Sequence, residues 1–215
     1  MKFNLKITII SGGTAPSLKL LKEEVESSNI LICADSGGNC LYKYHIIPDY
    51  LMGDFDSIDE NVLQYFKNSG VIIEKYPSKK NFTDTELVFN KALELKANEI
   101  VFLGCTGSRI DHMFGNLGML KKCLKFGIKG YIKDDNNSIE LIDRPVIIRG
   151  NKGEFFSIYA YCDLLDKLSI SGAKYKLDNY DLELGDSRTV SNEFLDGDVK
   201  ISFKKGMILL FRSKD

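Results

Sequence analysis

Short β-rich apolar runs alternate with segments of helical spacing through the first two thirds of the chain. Residues 5–10, 30–34, 50–52, 71–76 and 99–103 read as strands. Between and after them, residues 17–28, 59–68, 83–96 and about 111–126 carry apolar residues at helical intervals, and a short helix is expected to end near Tyr44. Short connections between such elements specify a mostly parallel sheet covered by helices. In sheets of this kind ligands gather at the carboxyl ends of the strands. The Gly- and Asp-rich turns all follow strands: Ser11-Gly12-Gly13, Asp35-Ser36-Gly37-Gly38, Gly53-Asp54-Phe55-Asp56-Ser57 and the stretch from Gly104 to Asp111. They are therefore expected on one rim.

The pattern changes after Lys133. Short β-rich runs at 138–142, 146–148, 154–161, 199–203 and 207–211 are separated by turn signals such as Asp196-Gly197-Asp198. The expectation is an α/β domain over 1–133, with helices on a mostly parallel sheet. An antiparallel β-sandwich is expected over 134–215, with Asp134-Asp135-Asn136-Asn137 as the junction.

Composition removes several function classes. Formal net charge is −1, so no global basic field exists to attract nucleic acid. The five cysteines are widely spaced and form no C-x-x-C, which argues for free thiols in a cytosolic protein. The N-terminal apolar run is too short and interrupted for a signal peptide or membrane span. Neither G-x-G-x-x-G nor a P-loop motif occurs.

Three clusters carry candidate chemistry. Asp54 and Asp56, two residues apart on extended chain, would point to one side and repel unless a cation sat between them. A hard ion such as Mg²⁺, bridging carboxylates to phosphates, suits such a pair. The competing reading makes Ser57 and Glu60 a capping box for the helix that starts near Asp59. Thr83-Asp84-Thr85-Glu86 is also a capping box, with Thr83 as cap and Glu86 reaching back. Asp84 is not needed for that, although an acid in the first turn favours the helix dipole. On the rim it becomes a third metal ligand or an aligner of the attacking group. In Gly107-Ser108-Arg109-Ile110-Asp111-His112, Arg109 offers a fork for phosphate oxygens, and Asp111 could cap the next helix. Lys79 and Lys80 could approach phosphate, though solvated lysines are the default reading.

In combination and order, Ala34-Asp35-Ser36-Gly37-Gly38, Gly53 to Ser57, Thr83 to Glu86, Gly107 to His112 and Ser191-Asn192-Glu193 resemble the thiamine pyrophosphokinase family. The resemblance implies transfer of the pyrophosphoryl group of ATP to the hydroxyl of thiamine, giving thiamine diphosphate and AMP. It implies Mg²⁺ as cofactor, a homodimer with thiamine held between subunits, and no nucleic-acid or membrane partner. It casts Asp54, Asp56 and Asp84 as metal ligands, and these three with Arg109 and Asp111 as the catalytic set. It assigns Gly12, Gly13, Asp35, Gly37, Lys80, Arg109 and His112 to ATP, and Asp84, Tyr175, Ser191 and Asn192 to thiamine. Relatives often carry an acid where this chain has Asn81, and an aromatic residue against thiamine, for which Tyr175 is the nearest candidate. Two alternatives remain at this level: a related pyrophosphokinase for another small alcohol such as a hydroxymethyl pterin, and a non-catalytic nucleotide sensor.

Overall fold

The computed structural model describes residues 4–78 and 83–214. The chain forms two compact units, Met1–Asp135 and Asn136–Asp215. The first contains β1 (Lys6–Ile10), α1 (Leu18–Glu26), β2 (Ile30–Ala34), α2 (Gly37–Lys43), β3 (Tyr50–Gly53) and α3 (Glu60–Asn68). It continues with β4 (Ile72–Lys75), α4 (Asp84–Glu94), β5 (Glu99–Leu103), α5 (Ile110–Lys125) and β6 (Lys129–Lys133). Its strands run in the order β6-β5-β1-β2-β3-β4, and the pairings between them are parallel. The central strands are nearly continuous apolar runs because helices cover both of their faces. Ile7, Ile9, Ile10, Ile32, Val101 and Phe102 are fully buried.

The strand order positions the site. From β1 the chain steps outward through β2, β3 and β4, then returns to place β5 on the other side of β1. The connections after β1 and β5 therefore leave in opposite directions. A crevice opens between them at the carboxyl ends of the strands, where open α/β sheets hold their ligands.

The second unit contains β7 (Asn137–Ile142), β8 (Val146–Ile148), β9 (Phe155–Ala160), β10 (Leu164–Ser171), β11 (Leu177–Glu183), β12 (Asn192–Glu193), β13 (Val199–Ser202) and β14 (Ile208–Ser213). Antiparallel pairings give the orders β12-β9-β14-β7 and β11-β10-β13-β8. Side chains from both sets, among them Phe156, Ile158, Leu165, Leu168, Val199 and Leu210, share one buried cluster. The fold class is thus the expected one: a parallel α/β region followed by an antiparallel β region.

Several strands escape the sequence reading for identifiable reasons. β10 breaks its alternation with register shifts around Leu168 and a positive φ of 56° at Lys167. β11 carries Asp178 and Asn179, residue types depleted in strands. β6 contains Gly130, whose missing side chain makes room for Cys123.

Candidate active site

The loops leaving β1 and β5 are stapled together by backbone hydrogen bonds. Ser11 N–H donates to the Leu103 carbonyl at 2.9 Å, Gly13 N–H to Gly104 at 2.8 Å and Thr14 N–H to Thr106 at 2.7 Å. Glycine is required for this approach. A Cβ on Gly13 would lie 2.3 Å from the Thr106 carbonyl oxygen, and one on Gly104 would lie 2.2 Å from that of Ser11. Gly104 also has a φ of 65°, a conformation costly for side-chain-bearing residues. These loops line a cleft of about 770 Å³, together with Asp35, Asp84, Arg109, Asp111 and His112. Gly12 and Gly13 belong to the wall. Gly37 is buried and not among the residues lining the cleft, and a Cβ there would stand 2.6 Å from the Ile10 carbonyl oxygen.

The acids converge by a tight turn rather than along a strand. β3 ends at Gly53, and Phe55 adopts a φ of 65°, a left-handed conformation rare for a bulky residue. Phe55 packs against the apolar core of this unit. The Asp56 N–H donates to the Asp54 carboxylate at 3.2 Å, which closes the turn. Asp35 reaches the same place from the end of β2, itself at a φ of 41°. One carboxylate oxygen from each of Asp35, Asp54 and Asp56 lies within 4.8 Å of the others. Asp35 is buried, and its Oδ1 has no hydrogen-bond partner among the described residues. Burial pushes its pKa up, the Ser36 N–H opposes the rise, and the charges of Asp84, Asp54 and Asp56 add to it. Three convergent carboxylates with an unsatisfied buried oxygen form an oxygen-only donor set suited to a hard divalent cation.

Asp84 opens α4, capped as expected by Thr83, whose hydroxyl accepts from the Glu86 N–H at 3.2 Å. The second half of the expected capping box is replaced. The Glu86 carboxylate pairs with Lys122 of α5 and so ties the two helices together. The capping box proposed for α3 does not form either. The cap of that helix is Asp59, without a side-chain bond, and the Ser57 hydroxyl donates instead to Asp56 at 2.8 Å. Lys79, Lys80 and Asn81 lie outside the described residues.

Arg109, not Asp111, occupies the cap position of α5. Asp111 falls within the first turn, where its carboxylate grips the Arg109 fork at 2.9 and 2.6 Å. That fork holds the Asp111 pKa well below the ordinary carboxylate range. Both side chains are about two thirds exposed, so a phosphate can compete for the guanidinium. His112 follows on the cleft wall.

In the second unit, Asn192 is buried and committed to the backbone. Its amide donates to the Tyr175 carbonyl at 2.8 Å, and its oxygen accepts from the N–H groups of Tyr175 at 3.0 Å and Glu193 at 2.9 Å. Asn192 is thus a holder of Tyr175. The Tyr175 ring is 58% exposed, with the Lys174 ammonium 5.6 Å from its centroid. Ser191 stands exposed at a φ of 56°, its N–H on the Ser157 hydroxyl.

Sequence reasoning overlooked the floor of the cleft. The buried hydroxyls of Ser11 and Thr85 meet at 3.1 Å, joining the β1 loop to the first turn of α4. Burial pushes the neighbouring Cys105 thiol up to about 12, so it is held unreactive. The Asn116 amide donates to the Cys105 carbonyl at 2.8 Å and anchors the β5 loop to α5. Its position four residues after His112, on the same helix face, was the available signal.

Residues 21–132 match the model of the thiamin pyrophosphokinase catalytic domain, and residues 145–208 match that of the thiamin pyrophosphokinase vitamin B1 binding domain. The chain is 30% identical over 211 residues to a thiamine pyrophosphokinase of Bacillus subtilis, covering 97% of this chain and 99% of that one. The crystal structure of the thiamine pyrophosphokinase from Bacillus subtilis superposes with a TM-score of 0.87 at 30% identity, covering 98% of this chain and 99% of that one. Thiamin pyrophosphokinase from Candida albicans, at 18% identity, shares the fold with a TM-score of 0.85 over 98% of this chain and 90% of that one.

Proposed function

The chain belongs to the thiamin pyrophosphokinase family, and on that premise we infer that it is an enzyme that makes thiamine diphosphate and AMP from thiamine and ATP. The observation in the molecule that supports this reading is the acid-lined cleft at the β1–β5 crevice, with the unpartnered Asp35 oxygen beside Asp54 and Asp56.

Transfer of a phosphoryl-type group needs positioning and charge neutralisation more than covalent help. Mg²⁺ is the cofactor this donor set suits; held by Asp54 and Asp56 with Asp35 or Asp84, it would neutralise triphosphate charge. The backbone N–H groups of the β5 loop, whose carbonyls take the staple from the β1 loop, and the Arg109 fork bind phosphate oxygens. When a phosphate takes the Arg109 fork, Asp111 is released to accept a proton or a hydroxyl donor. Asp84, at the N-terminus of α4, aligns the thiamine alcohol for in-line attack on the β-phosphorus. Tyr175, the Asn192 that holds it and Ser191 form the thiamine end, where an exposed ring face suits a cationic thiazolium. We further propose a homodimer in which thiamine lies between the catalytic domain of one subunit and the β domain of its partner. The five free cysteines fit a reducing cytoplasm. No helix among the described residues is long and apolar enough to cross a membrane.

The deciding experiment mixes the protein with thiamine, ATP and Mg²⁺ and follows products by mass. Thiamine diphosphate and AMP in equal amounts are expected. ATP binding without AMP release would leave a nucleotide sensor, and AMP formed only with a hydroxymethyl pterin would move the substrate.

A further inference from the structure

α5 is a sixteen-residue helix with glycines at positions 115 and 118 in its interior. Glycine weakens a helix relative to alanine, so a glycine held there needs a reason. Packing within the chain does not supply one. A Cβ built on either residue meets no atom within 4 Å. The two differ in position: Gly115 lines the cleft, and Gly118 is not among its lining residues.

His112, Gly115, Asn116 and Met119 all line the cleft. Their spacing of i, i+3, i+4 and i+7 makes them one stripe along the helix. Gly115 bares a patch of helix backbone between an imidazole and a thioether, two groups that pack well on the face or edge of an aromatic ring. The stripe is fixed against the β5 loop by the Asn116 bond to the Cys105 carbonyl. An independent observation marks the same cleft as a ligand site: the buried Asp35 Oδ1, which lacks a partner among the described residues.

We propose that Gly115 is a specificity-determining residue whose missing side chain opens a slot for the flat base of the nucleotide, bracketed by His112 and Met119. The inference rests on the reading of this cleft as the ATP site. The nucleotide base is favoured over the rings of thiamine because α5 lies within the match to the catalytic domain. The match to the vitamin B1 binding domain lies at residues 145–208.

The test compares a ligand that has the base with one that lacks it. Calorimetry measures Mg²⁺-ATP and Mg²⁺-tripolyphosphate binding to the wild-type protein and to Gly115→Ala, Gly115→Leu and Gly118→Ala. Gly115→Leu is expected to weaken ATP binding at least about tenfold, the scale of one misplaced group in a fitted pocket, with tripolyphosphate binding unchanged. Gly115→Ala is expected to weaken ATP binding less while raising the melting temperature by about 2–4 °C. Gly118→Ala should raise the melting temperature equally with ATP affinity intact. If Gly115→Leu fails to fold, the opposed shifts in Gly115→Ala, more stable yet weaker for ATP, carry the proposal. Unchanged ATP affinity in both Gly115 variants overturns it, as does an equal loss of ATP and tripolyphosphate. A rise in the KM for thiamine alone would reassign the slot to thiamine. Wild-type protein that binds no ATP would instead overturn the functional reading itself.

Discussion

The acidic rim of the first unit and the Tyr175–Asn192 corner of the second both bury polar side chains, and they treat them in opposite ways. Asn192 spends its amide on three backbone groups and leaves none of the geometry to a ligand. Asp35 keeps a buried oxygen unpartnered among the described residues, in the company of three other carboxylates. Two residues of the rim, Asp35 and Phe55, hold left-handed backbone to bring the acids together. A satisfied buried polar group secures the fold, whereas an unsatisfied carboxylate stores cost that a bound cation, a ligand or a proton recovers. On the proposed function, this contrast fits the corner to positioning and the rim to chemistry.

The contrast is broken most sharply at Asp56. Asp56→Asn is expected to lower AMP release dependent on thiamine and Mg²⁺ on the order of a thousandfold, with circular dichroism unchanged. Near-normal turnover would remove Asp56 from the reaction. Asn192→Ala should do the reverse of a chemical lesion. It strands the Tyr175 N–H and carbonyl and should cost roughly 2–4 kcal/mol in urea unfolding. Its kinetic signature should be a higher KM for thiamine, with the KM for ATP little changed.

How much of this was legible follows the same division. Short apolar runs and helical spacing revealed β1 to β5 and their helices, most clearly β1, β2 and β5, which are nearly continuous apolar runs followed by Gly- or Asp-rich turns. β10 and β11 were hidden, since bulges and polar residues erase alternation. Asp35, Asp54 and Asp56 could be named from strand exits, yet the turn that joins them could not. Nothing in Gly53-Asp54-Phe55-Asp56 announces that Phe55 turns left-handed, because the core that receives its ring is assembled from distant segments. The roles of Ser57 and Asp111 were misread for a different reason. A capping motif states what a side chain can bond, and here a charged neighbour one or two residues away, Asp56 for Ser57 and Arg109 for Asp111, took each side chain instead.

If the rim stores cost, removing its buried charge should stabilise the protein. Asp35→Asn keeps a residue tolerant of left-handed backbone and gives the neighbouring carboxylates an amide donor. In chelator, it should raise unfolding stability by roughly 1–2 kcal/mol near neutral pH. The raised Asp35 pKa sets the direction. The wild-type carboxyl is tolerated when protonated at low pH and becomes a burden as pH rises through its folded pKa. The gain should therefore shrink on acidification. A variant less stable than wild type at neutral pH would mean that the carboxylate has a partner in solution.

The smallest expected effect separates the two helix starts on the rim. Thr83 makes a real cap, so Thr83→Ala should cost about 1 kcal/mol. Ser57 only resembles one. Its hydroxyl belongs to Asp56, and α3 begins at Asp59 without a side-chain bond. Ser57→Ala should therefore leave urea stability unchanged while loosening the Asp56 carboxylate, seen as weaker binding of Mn²⁺ in place of Mg²⁺. Equal stability losses in the two variants would mean that Ser57 is a scaffold residue after all. The acidic turn would then be a helix start that happens to carry carboxylates, and the line between rim and corner would move to exclude it.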